Sequence, residues 1–143
     1  MYIKGILEKR PTGAVHTIKP DQTIQEAVGM LSQHRVGVLV VSSGDGKLEG
    51  ILSERDIVRE LGSRGAQVLH EKASQLMTKK VQTCVPTDTS EKTLKTMTSG
   101  RFRHIPVMEN DRITAMISIG DLVKARLDEI EFENNSIVEM IRG

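Results

Sequence analysis

Aromatic residues are nearly absent: two Phe, one Tyr and no Trp in 143 residues. A surface that holds single strands by stacking successive bases on rings cannot be built from so few. Any planar ligand would have to rest mainly against aliphatic side chains. Cysteine is scarce as well. Cys84 is alone and can form no internal disulfide, which fits a reducing compartment. The histidines (His16, His34, His70, His104) are scattered at no helical spacing, and there is no C-x-x-C, so no metal site is expected. Neither sign of charge dominates. The 20 basic and 19 acidic side chains leave a net of +1, which speaks against a basic nucleic-acid-binding domain and against an acidic disordered tail. Long apolar runs are missing too. The longest, Val36–Val41, is far too short to span a bilayer, and no charged leader with an apolar core opens the chain. With 38% hydrophobic and 27% charged residues, the expectation is a globular cytoplasmic protein with neither membrane nor nucleic acid as partner.

What is present is a repeat. When Val15 is laid on Val81, identities also fall at Thr17/Thr83, Pro20/Pro86, Thr23/Thr89, Arg35/Arg101 and Val41/Val107. The register then slips by one residue, and Ser53/Ser118, Asp56/Asp121 and Val58/Val123 match. The slip lies between Ser42-Ser43-Gly44-Asp45-Gly46-Lys47 and the shorter Met108-Glu109-Asn110-Asp111-Arg112. Both stretches are turn chemistry, where insertions are tolerated.

Each copy reads as β-α-β-β-α, so the fold class is α/β (α+β). A short strand ends before a proline (Val15–Ile18 before Pro20; Val81–Cys84 before Pro86). The following helix carries Thr23 and Glu26 in capping-box spacing, with Ile24, Ala27, Val28 and Leu31 on one face. The second copy has a thinner apolar face (Leu94, Met97) and Lys92 in place of the reciprocal Glu. Hairpins follow at Gly37–Val41 with Leu48–Leu52 and at Ile105–Met108 with Ile113–Ile117, and a helix closes each copy from Glu54 and from Ile119. Between the copies, Gly62–Lys80 contains a helix around Ala73–Met77. A unit this small buries too little apolar surface by itself. The copies are therefore expected to pack sheet to sheet about a pseudo-two-fold axis, creating two equivalent clefts. The expected domains are 7–66 and 73–130, with 131–143 as a C-terminal helix extension.

The third strand of each copy runs into its helix through S-x-x-D: Ser53 with Asp56, and Ser118 with Asp121. This is a capping pattern that needs no ligand. It is also a ligand pattern. Asp is a short reach back to the N-cap amide, and the motif recurs where helix N–H groups attract anions. There an Asp can accept two charge-assisted hydrogen bonds from a vicinal diol such as ribose, with Ser on a phosphate or sugar oxygen. A second constellation is Arg101-Phe102-Arg103-His104-Ile105-Pro106-Val107, whose counterpart is His34-Arg35-Val36-Gly37-Val38. Arg suits bidentate phosphate contact. For Arg35 and Arg101 the helix C-terminal dipole is an equal reason to be basic, whereas Arg103 and His104, at the strand entrance, favour ligand contact.

The paired copies, the T-x-x-P openings (Thr17–Pro20, Thr83–Pro86), R-H-I-P-V, G-I-L-S-E-R-D and S-I-G-D resemble the tandem CBS domains, of cystathionine-β-synthase type, that make a Bateman module. The resemblance covers roughly 7–127 and is to the small stand-alone bacterial CBS-pair proteins. It implies an adenine-containing ligand (AMP, ADP, ATP, NAD or S-adenosylmethionine) in the clefts between the domains. It further implies that Asp56 and Asp121 hold ribose, with Ser53 and Ser118 beside them. Adenine is expected near Ile18, Lys19 and Pro20 and near Val85 and Pro86, and phosphate on Arg35, Arg103 and His104. Gly50 departs from the pattern, since its counterpart is Ala115, and a side chain there is expected to crowd one cleft.

After Asp121 the helical pattern continues to the end of the sequence. Val123, Leu127, Ile130, Asn134, Ile137 and Ile141 alternate spacings of four and three, a heptad seam with one polar position. A helix outlasting the repeat unit points to a second subunit, hence a homodimer. No nucleophile–base pair, metal cluster or Gly-rich phosphate loop is found. A non-catalytic regulatory sensor acting on an unidentified partner protein is expected; a structural dimerisation adaptor with degenerate nucleotide sites is the alternative.

Overall fold

The computed structural model describes residues 1–9 and 15–142. The expected first-domain span crosses residues 10–14, and the expected tail ends on residue 143; both lie outside the described residues.

In chain order the elements are α1 (Ile3–Lys9), β1 (Thr17–Ile18), α2 (Ile24–His34), β2 (Val38–Val41), β3 (Gly50–Ser53), α3 (Glu54–Arg64), a 3-10 helix (Ala66–His70), α4 (Ala73–Leu76), α5 (Ser90–Gly100), β4 (His104–Glu109), β5 (Arg112–Ser118) and α6 (Ile119–Arg142). The chain divides into two compact units.

The first-repeat unit holds Val15–Gln82 together with Glu109–Thr114. Its sheet has the order β1-β2-β3. β1 runs parallel to β2, with Thr17 opposite Val40 and Ile18 opposite Val41. β2 runs antiparallel to β3, with Val38 opposite Ser53 and Val41 opposite Gly50. All of β2 is buried on both faces, which explains its unbroken Val-Leu-Val-Val rather than an alternating pattern. Ile24, Ala27 and Leu31 of α2 and Ile57 of α3 close over Ile18, Leu39, Val41 and Leu52 to form the core, joined by Val68 and Ala73 from the connecting segment. Burying each large aliphatic side chain contributes about 1.5–3 kcal/mol. Thr23 caps α2 by accepting from the Glu26 N–H (3.2 Å), but the Glu26 carboxylate accepts from Gln22 Nε2 (2.7 Å). The connecting segment is fastened by Ile51 N–H to the Thr78 carbonyl (3.0 Å) and Thr78 N–H to the Ile51 carbonyl (2.8 Å). Arg64 ties α3 to the 3-10 helix by bridging Glu60 and Glu71, both at 2.8 Å.

The second-repeat unit holds Thr83–Met108 and 115–142, and it includes α1. Ile3 and Ile6 lie in one cluster with Met97, Ile105, Val107, Ile117 and Leu122. The first helix of the sequence thus belongs with the second repeat, although the first repeat was expected to open at residue 7. α1 is held by Ile3 N–H to the Asp88 carbonyl and Lys4 N–H to the Pro86 carbonyl, both 2.9 Å. β4 and β5 form a two-stranded sheet, joined at Asn110 (φ 52°) and Asp111 (φ 62°), the pair of left-handed residues that suits a tight hairpin. The strand expected at Val81–Cys84 is reduced to a single parallel bridge between Cys84 and Val107.

Candidate functional site

The two S-x-x-D corners are built alike and differ in one hydrogen bond. In the first repeat Ser53, extended (φ −100°, ψ 152°), is the N-cap of α3 and its Oγ accepts from the Asp56 N–H (3.1 Å). The Asp56 carboxylate turns aside to Arg59 Nη2 (2.9 Å). In the second repeat Ser118 Oγ accepts from the Asp121 N–H (3.1 Å), and Asp121 Oδ2 accepts in return from the Ser118 N–H (3.0 Å). This corrects the expectation that an Asp reaches too short for a closed capping box: Asp121 closes one, whereas Asp56 does not. Each Ser cap satisfies a helix N–H group that would otherwise lack a partner, and the Asp121 box also engages the Ser118 amide.

The first residue of each closing helix is pinned to the entrance of the neighbouring strand, β2 or β4. Glu54 N–H donates to the Gly37 carbonyl (2.9 Å), and Ile119 N–H donates to the Arg103 carbonyl (2.8 Å). The corner, the strand entrance and the end of the preceding helix therefore meet at one end of each sheet. Arg35 closes α2 there in the left-handed conformation (φ 54°, ψ 46°), and Arg101 closes α5 in the same way (φ 57°, ψ 38°). Helices that end in this conformation usually place Gly at it, because a Cβ makes it unfavourable by roughly 1–2 kcal/mol. Both Arg side chains are exposed, and neither has an ion-pair partner among the described residues. Arg103 is exposed and His104 half-buried beside them.

The expected base-holding residues do not join this end. Ile18 stands opposite Val41, three residues along β2 from Val38, the partner of Ser53. That is roughly 10 Å along the strands and about 10 Å across two strand spacings. Lys19 and Pro20 lie further still and are engaged elsewhere. Lys19 N–H donates to Gln22 Oε1 (2.9 Å), and the Pro20 carbonyl accepts from Ser74 N–H (3.0 Å). Val85 and Pro86 follow the Cys84–Val107 bridge toward the hairpin turn, and the Pro86 carbonyl holds α1. The residues level with the first corner are Val15, opposite Val38 in the same register, and His16, whose carbonyl accepts from the Val40 N–H (2.9 Å). The His16 ring stacks on His34 at the end of α2, with centroids 4.1 Å apart and planes 21° from parallel. The second repeat has Gln82 and Gly100 in those places. Counting register from Ser53 back to β1 would have found His16.

Gly50 has a reason of its own. A Cβ there would lie 2.6 Å from Met77 Sδ and 2.9 Å from the Thr78 carbonyl oxygen. The glycine is required by the connecting segment that crosses it. Cys84 is buried, and burial, aided by the Asp88 charge, pushes its thiol up to about 12. The Met1 ammonium (2.9 Å) is the main cause holding the Glu129 carboxyl below its ordinary value. A depression of about 450 Å³ between α5 and α6 is lined by Ser90, Leu94, Leu122 and Arg126 among others, and no expected site residue lines it. The buried Ser90 hydroxyl has no hydrogen-bond partner. Among the described residues no cluster of three or more His, Cys, Asp or Glu could hold a metal, and no helix is long and apolar enough to cross a membrane.

The CBS domain family matches residues 4–63 and again 73–128. The chain belongs to that family, as a tandem pair. It is 35% identical over 127 residues to the mitochondrial CBS domain-containing protein CBSX3 of Arabidopsis thaliana, covering 86% of this chain and 62% of that protein. It is 30% identical to the CBS domain-containing protein YhcV of Bacillus subtilis, covering 78% of each. Among solved structures, a CBS-domain containing protein of Agrobacterium tumefaciens superposes with a TM-score of 0.83 at 43% identity, over 88% of this chain and 99% of that one. The CBS domain pair of protein MJ0100, solved with 5′-methylthioadenosine and S-adenosyl-L-methionine, shares the fold at 21% identity (TM-score 0.78, 90% and 98% covered).

Proposed function

We propose that this chain is a non-catalytic regulatory sensor that binds an adenine nucleotide, AMP, ADP, ATP or NAD, and so alters how it meets a partner protein. Asp56 and Asp121 hold the ribose diol, with Ser53 and Ser118 beside them. Arg35 and Arg101, with Arg103 and His104, take the phosphate, and the base lies by Val15 and His16 in the first repeat. No metal takes part. The ligand acts by favouring one arrangement of the protein over another, which needs no chemistry. The chain works in the cytoplasm as a homodimer.

The observation that carries this reading is the pair of exposed arginines held in left-handed backbone at the same place in both repeats. Two strained caps beside two Ser–Asp corners are better explained by a phosphate than by the caps themselves, which glycine would make more cheaply. Support also comes from the adenosine compounds bound by the MJ0100 pair. The adaptor reading is favoured by one observation, the closed box of Asp121.

Calorimetric titration with each of the four nucleotides separates them. At least one is expected to bind, and Asp56→Asn and Asp121→Asn should each weaken it about tenfold, the loss of one charge-assisted hydrogen bond. Asn retains an acceptor for the Ser118 amide at position 121, and at position 56 the carboxylate caps nothing, so folding is spared. If none of the four binds at millimolar concentration, the sensor reading is wrong and the adaptor stands.

A further inference from the structure

α6 carries two stripes with different fates. Leu122 and Ala125 turn into the second-repeat core and are buried, and Glu129 continues that line to the Met1 ammonium. About 100° round the helix, Val123, Leu127, Ile130, Ile137 and Ile141 are 43%, 59%, 39%, 54% and 80% exposed. Beyond Ile130 every described residue of α6 except Ser136 is exposed. A helical stretch of that length is marginal by itself in water, so the exposed stripe calls for a partner.

We propose that the partner is α6 of a second copy, paired parallel and in register as a two-stranded coil. Val123, Ile130 and Ile137 take the d positions and Leu127, Asn134 and Ile141 the a positions. Parallel pairing in register sets Asn134 against Asn134 of the partner subunit, where the two amides hydrogen-bond. Any slip sets the amide against an aliphatic side chain and leaves it unsatisfied. The flanking charges agree: Arg126 at g faces Glu131 of the partner subunit at e, twice by symmetry. In the single chain Arg126 reaches Glu129 (3.1 Å) and Glu91 (3.7 Å). The antiparallel arrangement that overlaps the whole seam sets Asn134 against Ile130 of the partner subunit. It also brings Glu131 to face Glu131 of the partner subunit, and Glu133 to face Glu133 of the partner subunit. Val138 and Met140, 43% and 82% exposed, flank the seam and extend it. Phe132 lies outside it.

This inference rests on the homodimer and not on the nucleotide. Leu127→Cys and Ile141→Cys, each in the full chain without nucleotide, are oxidised with glutathione disulfide and run on a non-reducing gel, with sedimentation velocity at tens of micromolar. Both are expected to cross-link to dimer in more than half of the protein, while Asn135→Cys, on the outer face, and the wild type with its buried Cys84 do not. Sedimentation as a monomer overturns the pairing. A dimer in which neither Leu127→Cys nor Ile141→Cys cross-links overturns the parallel arrangement and leaves the homodimer. Neither result bears on whether the nucleotides bind.

Discussion

Two arginines occupy backbone positions where glycine would cost less. Arg35 and Arg101 each donate a backbone N–H into the last turn of the preceding helix, from Arg35 to the Leu31 carbonyl and from Arg101 to the Met97 and Thr98 carbonyls. Arg35→Gly and Arg101→Gly keep those bonds and remove the Cβ penalty, so each variant should be about 1 kcal/mol more stable in urea denaturation. Nucleotide affinity should fall in the same variants. A gain in stability with affinity unchanged would assign both residues to capping alone. At this scale the sequence shows residue types but not their bonds. Ser53, Asp56, Ser118 and Asp121 stand out by repetition, yet only the side-chain geometry reveals that Asp121 closes its box while Asp56 turns to Arg59. Ile18 and Pro20 are expected near the site from the family resemblance, whereas the register sets Ile18 opposite Val41, away from the Ser53 corner. A strand of two residues carries too little pattern to disclose its register.

Among the elements, the helices and hairpins follow from apolar periodicity and turn chemistry, and the strands expected at Gly37–Val41 and Ile113–Ile117 appear as β2 and β5 to within a residue or so. α1 was not legible. Seven residues with two buried isoleucines are too short for a periodic signal, and the helix is fixed by tertiary contacts that no local pattern announces. Gly50 belongs to this scale because its neighbour is another element. Gly50→Ala would drive a methyl group against the Thr78 carbonyl, which the paired Ile51–Thr78 hydrogen bonds prevent from moving. A loss of about 1–3 kcal/mol is expected from such overpacking. Adding Met77→Ala, which clears the side chain but not the carbonyl, should restore only part of it; full recovery would show that the backbone gives way.

At the scale of the whole molecule, global stability should respond to the thiol of Cys84. Its folded value of about 12 lies above the ordinary 9.0, so above pH 9 the unfolded chain releases a proton that the folded chain keeps. The contribution is whole below pH 9 and is lost as pH rises from there toward 12. The stability difference between wild type and Cys84→Ala should therefore narrow between pH 8 and 10.5, measured by urea denaturation under reducing conditions. A constant difference would place the thiol in contact with water.

The second-repeat unit is stitched from both ends of the sequence. Ile3 and Ile6 come before the first repeat in the sequence, yet the strands and helix that cover them, β4, β5 and α6, come after it. Growing on a ribosome, the chain can complete its first-repeat core while those two isoleucines still have nothing to rest on. A chaperone that meets this protein during synthesis would thus find α1 bare until β4, β5 and α6 have emerged.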